Sequence, residues 1–227
     1  HASFDAWIKA YRPNENSRNT TMSYYSRGSV IAMLLDSKII QKYKGKKSLD
    51  DFMQLIYNKY YLKKGRGFSE DEFKNELASF IGENMDDFYA KYIDGTEIPD
   101  YNAQFSPIGL NVAYIGESKP SVGLTLSQSG GKTTVKGIRS NSAAEDAGLS
   151  VNDEVLGFNG LRADKSSLDA YFESVATGEK INILFSRDNE LYSVDIIVTE
   201  YERPQFKYEI SEVKSTKKLF EYWLRKN

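Results

Sequence analysis

Histidine and cysteine, on which much enzyme chemistry depends, are almost absent from this 227-residue chain. It contains no cysteine, and its only histidine is His1. A Ser-His-Asp triad, a thiolate nucleophile and a multi-histidine metal site all need residues that the chain does not supply. These three kinds of site are therefore excluded from within it.

Adjacent carboxylates occur at Asp50-Asp51 and at Asp86-Asp87. Such pairs can ligate a metal or act together as catalytic carboxylates. Each pair, however, falls in the first turn of a predicted helix, where negative charge interacts favourably with the helix dipole. We therefore interpret both pairs as helix-terminus residues.

Charge and hydropathy argue against two further classes of function. The net charge is −2 and the basic residues are spread over both halves of the chain, so no basic surface for nucleic acid is expected. The longest apolar run, Val30–Leu35, is far shorter than the roughly 20 residues that span a bilayer. The composition leaves the compartment open between the periplasm or cell envelope and the cytoplasm.

The first hundred residues are predicted to be helical. Ser3 is the expected N-cap of the first helix, and Ser69 with Glu72 forms the capping box of a later one. Predicted helices cover residues 3–11, 24–43, 48–60, 69–81 and 85–92, with a polar loop at 12–22. We expect an all-α subdomain at residues 1–100.

The sequence pattern changes near residue 100. Pro99 and Pro107 bracket a predicted extended linker at 101–107. Strand-like segments follow near 110–115, 122–126, 133–138, 154–158, 181–185 and 191–198, with a helix near 166–176. We expect a mainly-β domain at 108–200, then at 201–227 an extended tail ending in a short helix. The predicted fold class is thus multi-domain α + β.

The stretch Ser142–Gly160 is the most distinctive part of the second half. Its alanines predict a short, closely packed helix, and Gly148 fits the left-handed position that ends it. An apolar strand follows and is closed by the turn residues Asn159-Gly160. This run resembles the middle of a bacterial-type PDZ domain, and the resemblance extends over roughly 108–200. It implies a peptide-binding module.

The resemblance also implies where a peptide would bind. In PDZ domains a loop of the form Φ-G-Φ turns its backbone N–H groups toward a carboxylate, and the next strand accepts the peptide opposite a helix. The matching positions are Val122, Gly123 and Leu124 in the loop, Leu126 in the strand, and Leu168, Phe172 and Val175 in the helix. The three helix residues are equally the face that an amphipathic helix buries in a core, so both interpretations stay open.

A second resemblance covers the helical half. The segment SFDAWIKAYRPNEN, followed by SYYSRG and an apolar helix reaching Asp36, is similar to the glycyl aminopeptidases, a gluzincin family of zinc metallopeptidases. Ser48–Phe52, the GFS at 67–69 and the YWL at 222–224 extend the similarity to most of the chain. Because that family carries a PDZ domain after its catalytic domain, residues 1–100 would be the helical end of a catalytic domain.

The zinc site of that family is an HExxH helix with a downstream glutamate. Two imidazoles one helical turn apart hold the metal, and the glutamate between them acts as base. No HExxH occurs in residues 1–227. We therefore expect no cofactor in this chain, and zinc only in a full-length parent whose N-terminal catalytic part would be a partner of these residues.

Tyr25 is the catalytic residue that the resemblance implies. Gluzincin aminopeptidases carry a tyrosine in a Y-x-[KR]-G motif, which Tyr25-Ser-Arg-Gly28 fits. A phenol in this position stabilises an oxyanion by donating one directed hydrogen bond. Tyr24 is the alternative donor, and both tyrosines could instead be packing residues at a helix start.

Two functional hypotheses follow. In the first, the chain is the C-terminal fragment of a zinc-dependent aminopeptidase-like protein. It is inactive alone, completes the catalytic cleft of the parent, and carries a PDZ module for peptide binding or regulation, with a peptide or protein C-terminus as its partner. In the second, it is a non-catalytic PDZ peptide-binding or scaffold protein with a degenerate peptidase remnant. In either case an internal segment, the linker 97–107 or the tail 201–227, could occupy the groove.

Overall fold

The computed structural model describes residues 5–224 and, within that range, every side chain except that of Arg18. Contacts divide the described chain into two units. The strand unit comprises residues 5–24 and 116–205, and the helical unit comprises residues 25–115 and 206–224. Ser3, the predicted cap of the first helix, lies outside the described residues.

The helices appear where the sequence periodicity predicts them, with several additions. They are α1 (Ala6–Tyr11), α2 (Ser17–Thr20), α3 (Tyr24–Tyr43), α4 (Leu49–Ile56) with a π-helical continuation Tyr57–Lys63, α5 (Glu70–Ile81), α6 (Asp86–Phe88) with a π-helical continuation Tyr89–Ile93, α7 (Tyr101–Phe105) with a 3₁₀ turn Ser106–Ile108, α8 (Ala143–Asp146), α9 (Lys165–Ser174) and α10 (Lys214–Trp223). The strands are β1 (Leu110–Tyr114), β2 (Glu117–Ser121), β3 (Leu124–Ser129), β4 (Lys132–Ile138), β5 (Glu154–Phe158), β6 (Leu161–Arg162), β7 (Lys180–Arg187), β8 (Glu190–Ile197), β9 (Thr199–Arg203) and β10 (Phe206–Ile210).

Helix α3 is the central element of the helical unit. Its buried apolar side chains share one core with those of α4, of α5 and of the 3₁₀ turn Ser106–Ile108. The fully buried side chains of this core include Leu34, Ile39, Ile40, Phe52, Leu77, Ile81 and Ile108. Asp36 on the same helix accepts hydrogen bonds from the backbone N–H of Leu49 at 2.7 Å and from Nε1 of Trp223 at 3.0 Å. One carboxylate thereby ties α3 to the start of α4 and to the end of α10.

The predicted helix starts are confirmed by their hydrogen bonds. At α5 the N–H of Glu72 donates to Oγ of Ser69 at 3.2 Å, and the N–H of Ser69 donates to Oε2 of Glu72 at 3.0 Å. At α4 the N–H of Ser48 donates to Oδ2 of Asp51 at 2.8 Å. Asp50-Asp51 and Asp86-Asp87 both lie in first helical turns, as predicted.

The segment 101–107, predicted as an extended linker, is helical, so that prediction was wrong. Oδ1 of Asp100 accepts a hydrogen bond from the N–H of Ala103 at 3.0 Å and caps α7. Pro107 occupies an early position of the 3₁₀ turn, where its missing N–H leaves no bond unmade. Phe105 and Ile108 are buried in the core of the helical unit, which holds the segment in place.

The strand unit is built on one antiparallel sheet with the order β3-β4-β5-β7-β8, to which β6 is added beside β5. The β7–β8 hairpin turns at Asp188 and Asn189, which both adopt left-handed φ values of 53° and 64°. Positive φ at both central residues is typical of the two-residue type I′ hairpin turn. Helix α9 packs on the sheet through Leu168, which is fully buried.

Two strand pairs join segments distant in sequence. β1 pairs with β10 in the helical unit, and β2 pairs with β9 in the strand unit. The strand at 110–114 was predicted as part of the β domain, and the structure groups it with the helical unit because its partner is Phe206–Ile210. The tail 201–227 is thus divided between the units, and its predicted terminal helix is α10.

The fold class is confirmed: a helical part is followed by a mainly-β PDZ-like part and a C-terminal helix. Across residues 5–224, no helix combines the length with the apolar character that crossing a membrane requires.

Candidate functional site

The edge strand β3 is the first element of the candidate groove. Within the described chain the sheet order places β3 at one end, hydrogen-bonded to β4 alone. The register Leu124↔Ile138 starts this ladder directly after the predicted loop. Helix α9 contacts β3, and β2 contacts the same helix. An edge strand beside a helix is the arrangement that accepts an added peptide strand.

The loop before β3 is held by backbone hydrogen bonds. The carbonyl of Val122 accepts from the N–H of Ala144, and the carbonyl of Gly123 accepts from the N–H of Arg139, both at 2.9 Å. Gly123 has a left-handed φ of 84°. A Cβ added to it would lie 2.2 Å from Cβ of Ser142, so this position requires glycine.

Six of the seven predicted groove residues divide into two groups by the burial of their side chains. Four are core residues of the strand unit: Val122, Leu126, Leu168 and Val175. Leu124 and Phe172 are half-buried and pack against that core from its margin. Gly123 contributes backbone only. Leu124 and Phe172 are thus the side chains that a ligand beside β3 could contact, and the burial of Leu168 and Val175 favours the core interpretation of α9.

Three residues near the loop were missed by the sequence reasoning. Oγ of Ser121 accepts hydrogen bonds from the N–H of Gly123 and from Nη1 of Arg139, each at 3.1 Å. The guanidinium carbon of Arg139 lies 3.7 Å from the ring centroid of Tyr201. Ser121 could have been noticed as a hydroxyl two residues before Gly123, whereas Arg139 and Tyr201 carry no local signal.

The segment that precedes α3 belongs to the strand unit and is hydrogen-bonded to it through side chains. Nδ2 of Asn19 donates to the carbonyl of Ile138 at 2.8 Å, and Oδ1 of Asn19 accepts from the N–H of Ser140 at 3.2 Å. Nδ2 of Asn152 donates to Oε1 of Glu15 at 2.9 Å. The segment before α3 therefore binds next to Arg139 and to the strand position opposite Leu124.

A hydrogen-bonded cluster fixes the end of α9. The hydroxyl of Tyr171 donates to Oε1 of Glu179 at 2.6 Å and accepts from Nδ2 of Asn159 at 2.9 Å. The bond to Glu179 raises the pKa of the Tyr171 phenol, and the same bond lowers the pKa of the Glu179 carboxyl. Tyr171 also packs on Phe158, so the cluster sets the position of the helix face that carries Phe172.

Tyr25 lies in the first turn of α3, and its side chain is 69% exposed. Tyr24 beside it is half-buried. Nη2 of Arg27 donates to the carbonyls of Tyr92 at 3.0 Å and Gly95 at 3.3 Å, which ties the start of α3 to the turn after α6. The exposure of Tyr25 argues against a packing role for its ring.

A metal site cannot be built from the described side chains. Across residues 5–224, no three or more His, Asp or Glu side chains come close enough to hold an ion. The described residues therefore do not supply the ligand set that a zinc ion of the kind found in that family requires.

The segments considered as occupants of the groove pair elsewhere in the described structure. Residues 101–105 are helical, β9 pairs with β2, and β10 pairs with β1. Within residues 5–224, neither segment adds a strand to β3.

Two family models match the sequence. The model of the M61 glycyl aminopeptidases matches residues 1–31, and a PDZ domain model matches residues 120–198. No curated protein sequence matches the chain.

Solved structures give a longer alignment. The crystal structure of an aminopeptidase N family protein from Idiomarina loihiensis aligns with a TM-score of 0.79 and 22% identity. The alignment covers 96% of this chain and 40% of that chain, so this chain spans less than half the length of that protein.

Isolated PDZ domains align more weakly. One belongs to a carboxy-terminal protease from Vibrio cholerae and was solved with a peptide; it is 16% identical, with a TM-score of 0.33, and the alignment covers 37% of this chain and 98% of that one. The HtrA3 PDZ domain bound to a phage-derived ligand is 15% identical, also with a TM-score of 0.33, and the alignment covers 39% and 92% of the two chains.

The order of the two matched regions and the fold agree with both predicted resemblances. The chain thus resembles part of an M61 glycyl aminopeptidase and carries a PDZ domain at residues 120–198.

Proposed function

We propose that the chain is the C-terminal part of a zinc-dependent aminopeptidase-like protein, to which it supplies one wall of the catalytic cleft and a peptide-binding PDZ module. The proposal is carried by one observation. An M61 match at residues 1–31 and a PDZ match at 120–198 occur in one chain whose fold aligns over 96% of its length with an aminopeptidase N family protein. The residues that hold the metal would belong to the N-terminal catalytic part.

In this proposal Tyr25 is the catalytic residue that the chain contributes. Hydrolysis of a peptide bond places negative charge on the carbonyl oxygen, and a positioned phenol stabilises it by donating a hydrogen bond. Tyr25 is exposed at the start of α3, a long helix whose later apolar positions are buried, and this helix gives the Tyr25 backbone a rigid support that suits the task. The bonds from Arg27 to Tyr92 and Gly95 fix the same turn.

The aminopeptidase proposal is tested with the protein encoded by the complete reading frame. We expect it to release p-nitroaniline from amino-acid p-nitroanilides and to leave N-acetylated forms of the same substrates uncleaved. Dialysis against a chelator should abolish the rate, and added Zn²⁺ should restore it. A reading frame without HExxH, or a protein without metal-dependent activity on any free-amine substrate, would contradict the proposal.

The second part of the proposal concerns the groove. An extended peptide would add to β3, and its side chains would contact Leu124 and Phe172. The edge position of β3 beside α9 favours this binding function. It would hold equally for a non-catalytic scaffold, the alternative that remains if the complete protein binds peptides and cleaves none.

Peptide titration tests the groove. We expect saturable binding of peptides with apolar C-termini, and loss of that binding in Leu124→Glu, because a carboxylate would stand where an apolar side chain is needed. Leu191→Glu is the matched control: Leu191 is 68% exposed on β8, at the other end of the sheet. Equal binding by both variants, or none by the unmodified chain, would refute a peptide groove at β3.

A further inference from the structure

The first turn of α3, which carries Tyr25, is made of residues that stabilise a helix poorly. Residues 25–29 read Tyr-Ser-Arg-Gly-Ser, and glycine is among the least favourable residues in a helix. The turn also holds no acidic side chain, so it lacks the charge that favours the positive end of the helix dipole. The position of this turn therefore depends on contacts with the rest of the helical unit.

Arg27 makes such a contact with the end of a second helix. Its Nη2 donates to the carbonyl of Tyr92 at 3.0 Å and to the carbonyl of Gly95 at 3.3 Å. Tyr92 lies in the π-helical continuation Tyr89–Ile93. Carbonyls at the C-terminal end of a helix carry partial negative charge, so a guanidinium is favourable there. Short π-helical segments are rare and are frequently found at functional sites.

The backbone that receives Arg27 is itself fixed. A Cβ added to Gly95 would lie 2.2 Å from the carbonyl oxygen of Ala90 and 2.8 Å from that of Lys91. The chain therefore crosses the π-helical segment at a distance that only glycine allows. The N–H of Glu97 donates to the same carbonyl of Lys91 at 3.2 Å. Arg27 is thus bound to acceptors whose positions are set by the close approach of two backbone segments.

Tyr25 and Arg27 lie on different sides of α3. Successive residues of an α-helix are about 100° apart around its axis, so two positions separate these side chains by about 200°. The burial agrees, since Tyr25 is exposed and Arg27 is half-buried. The bonds of Arg27 therefore hold the turn from the side away from the phenol and leave the phenol accessible.

We infer that Arg27 is a positioning residue for the Tyr25 phenol, because its bonds to the carbonyls of Tyr92 and Gly95 hold the first turn of α3 in one place. The inference rests on the proposed catalytic function of Tyr25 and deepens it. A hydrogen-bond donor stabilises a transition state only while it stays aligned with the developing charge. A loosened turn would therefore lower the rate rather than the affinity for substrate.

Hydrogen exchange of the 227-residue chain tests the anchor without catalysis. In Arg27→Gln the amides of residues 28–31 should exchange about tenfold faster, because local opening of the first turn becomes easier. Arg66→Gln is the matched control, since Arg66 also bonds to a backbone carbonyl in the helical unit, that of Gly67. It should leave these amides unchanged. Unchanged exchange in Arg27→Gln would overturn the inference.

Kinetics of the protein encoded by the complete reading frame test whether Arg27 acts through Tyr25. Arg27→Gln should lower kcat on a free-amine p-nitroanilide by about tenfold and leave KM nearly unchanged. The same change made in Tyr25→Phe should lower kcat no further, because the phenol that Arg27 positions is already gone. Arg27→Lys keeps the charge without the planar fork and should recover part of the loss. Arg66→Gln should keep the full rate.

The outcomes separate this inference from the proposed function. An equal fall in kcat with and without the Tyr25 phenol would show that Arg27 acts independently of it, which overturns the inference. A large fall in Tyr25→Phe with full activity in Arg27→Gln would refute the inference and leave the proposed function standing. Full activity in Tyr25→Phe would remove the proposed catalytic role, and the inference would fall with it. If Arg27→Gln does not fold, Arg27→Lys is measured in both backgrounds by the same criteria.

Discussion

At the residue scale, Gly123 combines two constraints that can be measured separately. Its φ is left-handed, and a Cβ at this position would meet Cβ of Ser142 at 2.2 Å. Gly131 has a similar φ of 78°, yet a Cβ there would meet no atom within 4 Å. The comparison of these two glycines isolates the steric contact from the backbone strain.

We predict that Gly131→Ala lowers the free energy of unfolding by about 1 kcal/mol, the cost of a left-handed alanine. Gly123→Ala should lower it by about 3 kcal/mol, because the buried contact with Ser142 adds to that strain. Urea denaturation of both variants measures the difference. Equal losses would mean that the loop relaxes around the added methyl group without cost.

Thr133 carries a buried hydroxyl. The residue is 2% exposed on β4, and among residues 5–224 nothing forms a hydrogen bond with its Oγ1. The neighbouring Thr134 differs, since its Oγ1 lies 2.9 Å from Oγ of Ser127. Burying an unpaired hydroxyl is unfavourable, and valine has nearly the same shape without it.

Thr133→Val should therefore raise the free energy of unfolding by about 1 kcal/mol, and Thr134→Val should lower it by a similar amount. The urea midpoint of each variant, compared with that of the unmodified chain, gives the sign of each change in stability. A loss of stability in both variants would show that the hydroxyl of Thr133 is hydrogen-bonded in solution.

At the element scale, the start of α5 depends on the charge of Glu72. Its carboxylate receives the guanidinium of Arg66 through two bonds of 2.6 and 2.8 Å and also accepts the N–H of Ser69. The bond from Arg66 and then the bond from Ser69 lower the pKa of Glu72 from 4.5 to about 2. Since the folded pKa is the lower one, the charged carboxylate stabilises the folded state above pH 4.5.

That stabilisation should be lost as the pH falls from 4.5 towards about 2. Glu72→Gln is expected to flatten the decline in stability across this window, whereas Glu70→Gln removes a different carboxylate of the same first turn and should not. Thermal melts at half-unit pH steps measure both slopes. The same decline in Glu72→Gln and in the unmodified chain would contradict the assignment.

Also at this scale, elements with local signals were predictable from the sequence. Helix α3 follows from its apolar spacing, α5 from the Ser69–Glu72 box, and the β7–β8 turn from Asp188-Asn189. The helical structure of residues 101–107 was not predictable from local signals. A proline such as Pro107 is compatible both with an extended linker and with the first positions of a helix, so it does not distinguish the two. The state of this segment is decided by the burial of Phe105 and Ile108, a tertiary effect.

At the scale of the whole molecule, pairing across long sequence distances escaped prediction. β1 finds its partner in β10 and β2 finds its partner in β9, so a strand next to the PDZ sequence belongs by contacts to the helical unit. In the candidate groove, too, local features could be predicted and long-range contacts could not. Gly123 could be recognised from a three-residue pattern, whereas the approach of Ser121, Arg139 and Tyr201 depends on the folded sheet.

The two family matches fall on different parts of the chain. The M61 match lies at residues 1–31 and includes Tyr25, and the PDZ match lies at residues 120–198. Residues 5–24 group by contacts with the strand unit, and Tyr25 is the first residue of the helical unit. The proposed catalytic tyrosine therefore follows directly, in the chain, the segment that Asn19 binds to the sheet.

The proposed catalytic role of this chain is tested by the kinetics of Tyr25→Phe in the protein encoded by the complete reading frame. We predict that kcat on a free-amine p-nitroanilide falls by about 10²–10³ while KM changes little, because the lost hydrogen bond acts on the transition state. Tyr11→Phe, at a tyrosine that is 64% exposed, should retain full activity. An unchanged kcat in Tyr25→Phe would contradict the catalytic role of this tyrosine, and with it the claim that this chain completes an aminopeptidase active site.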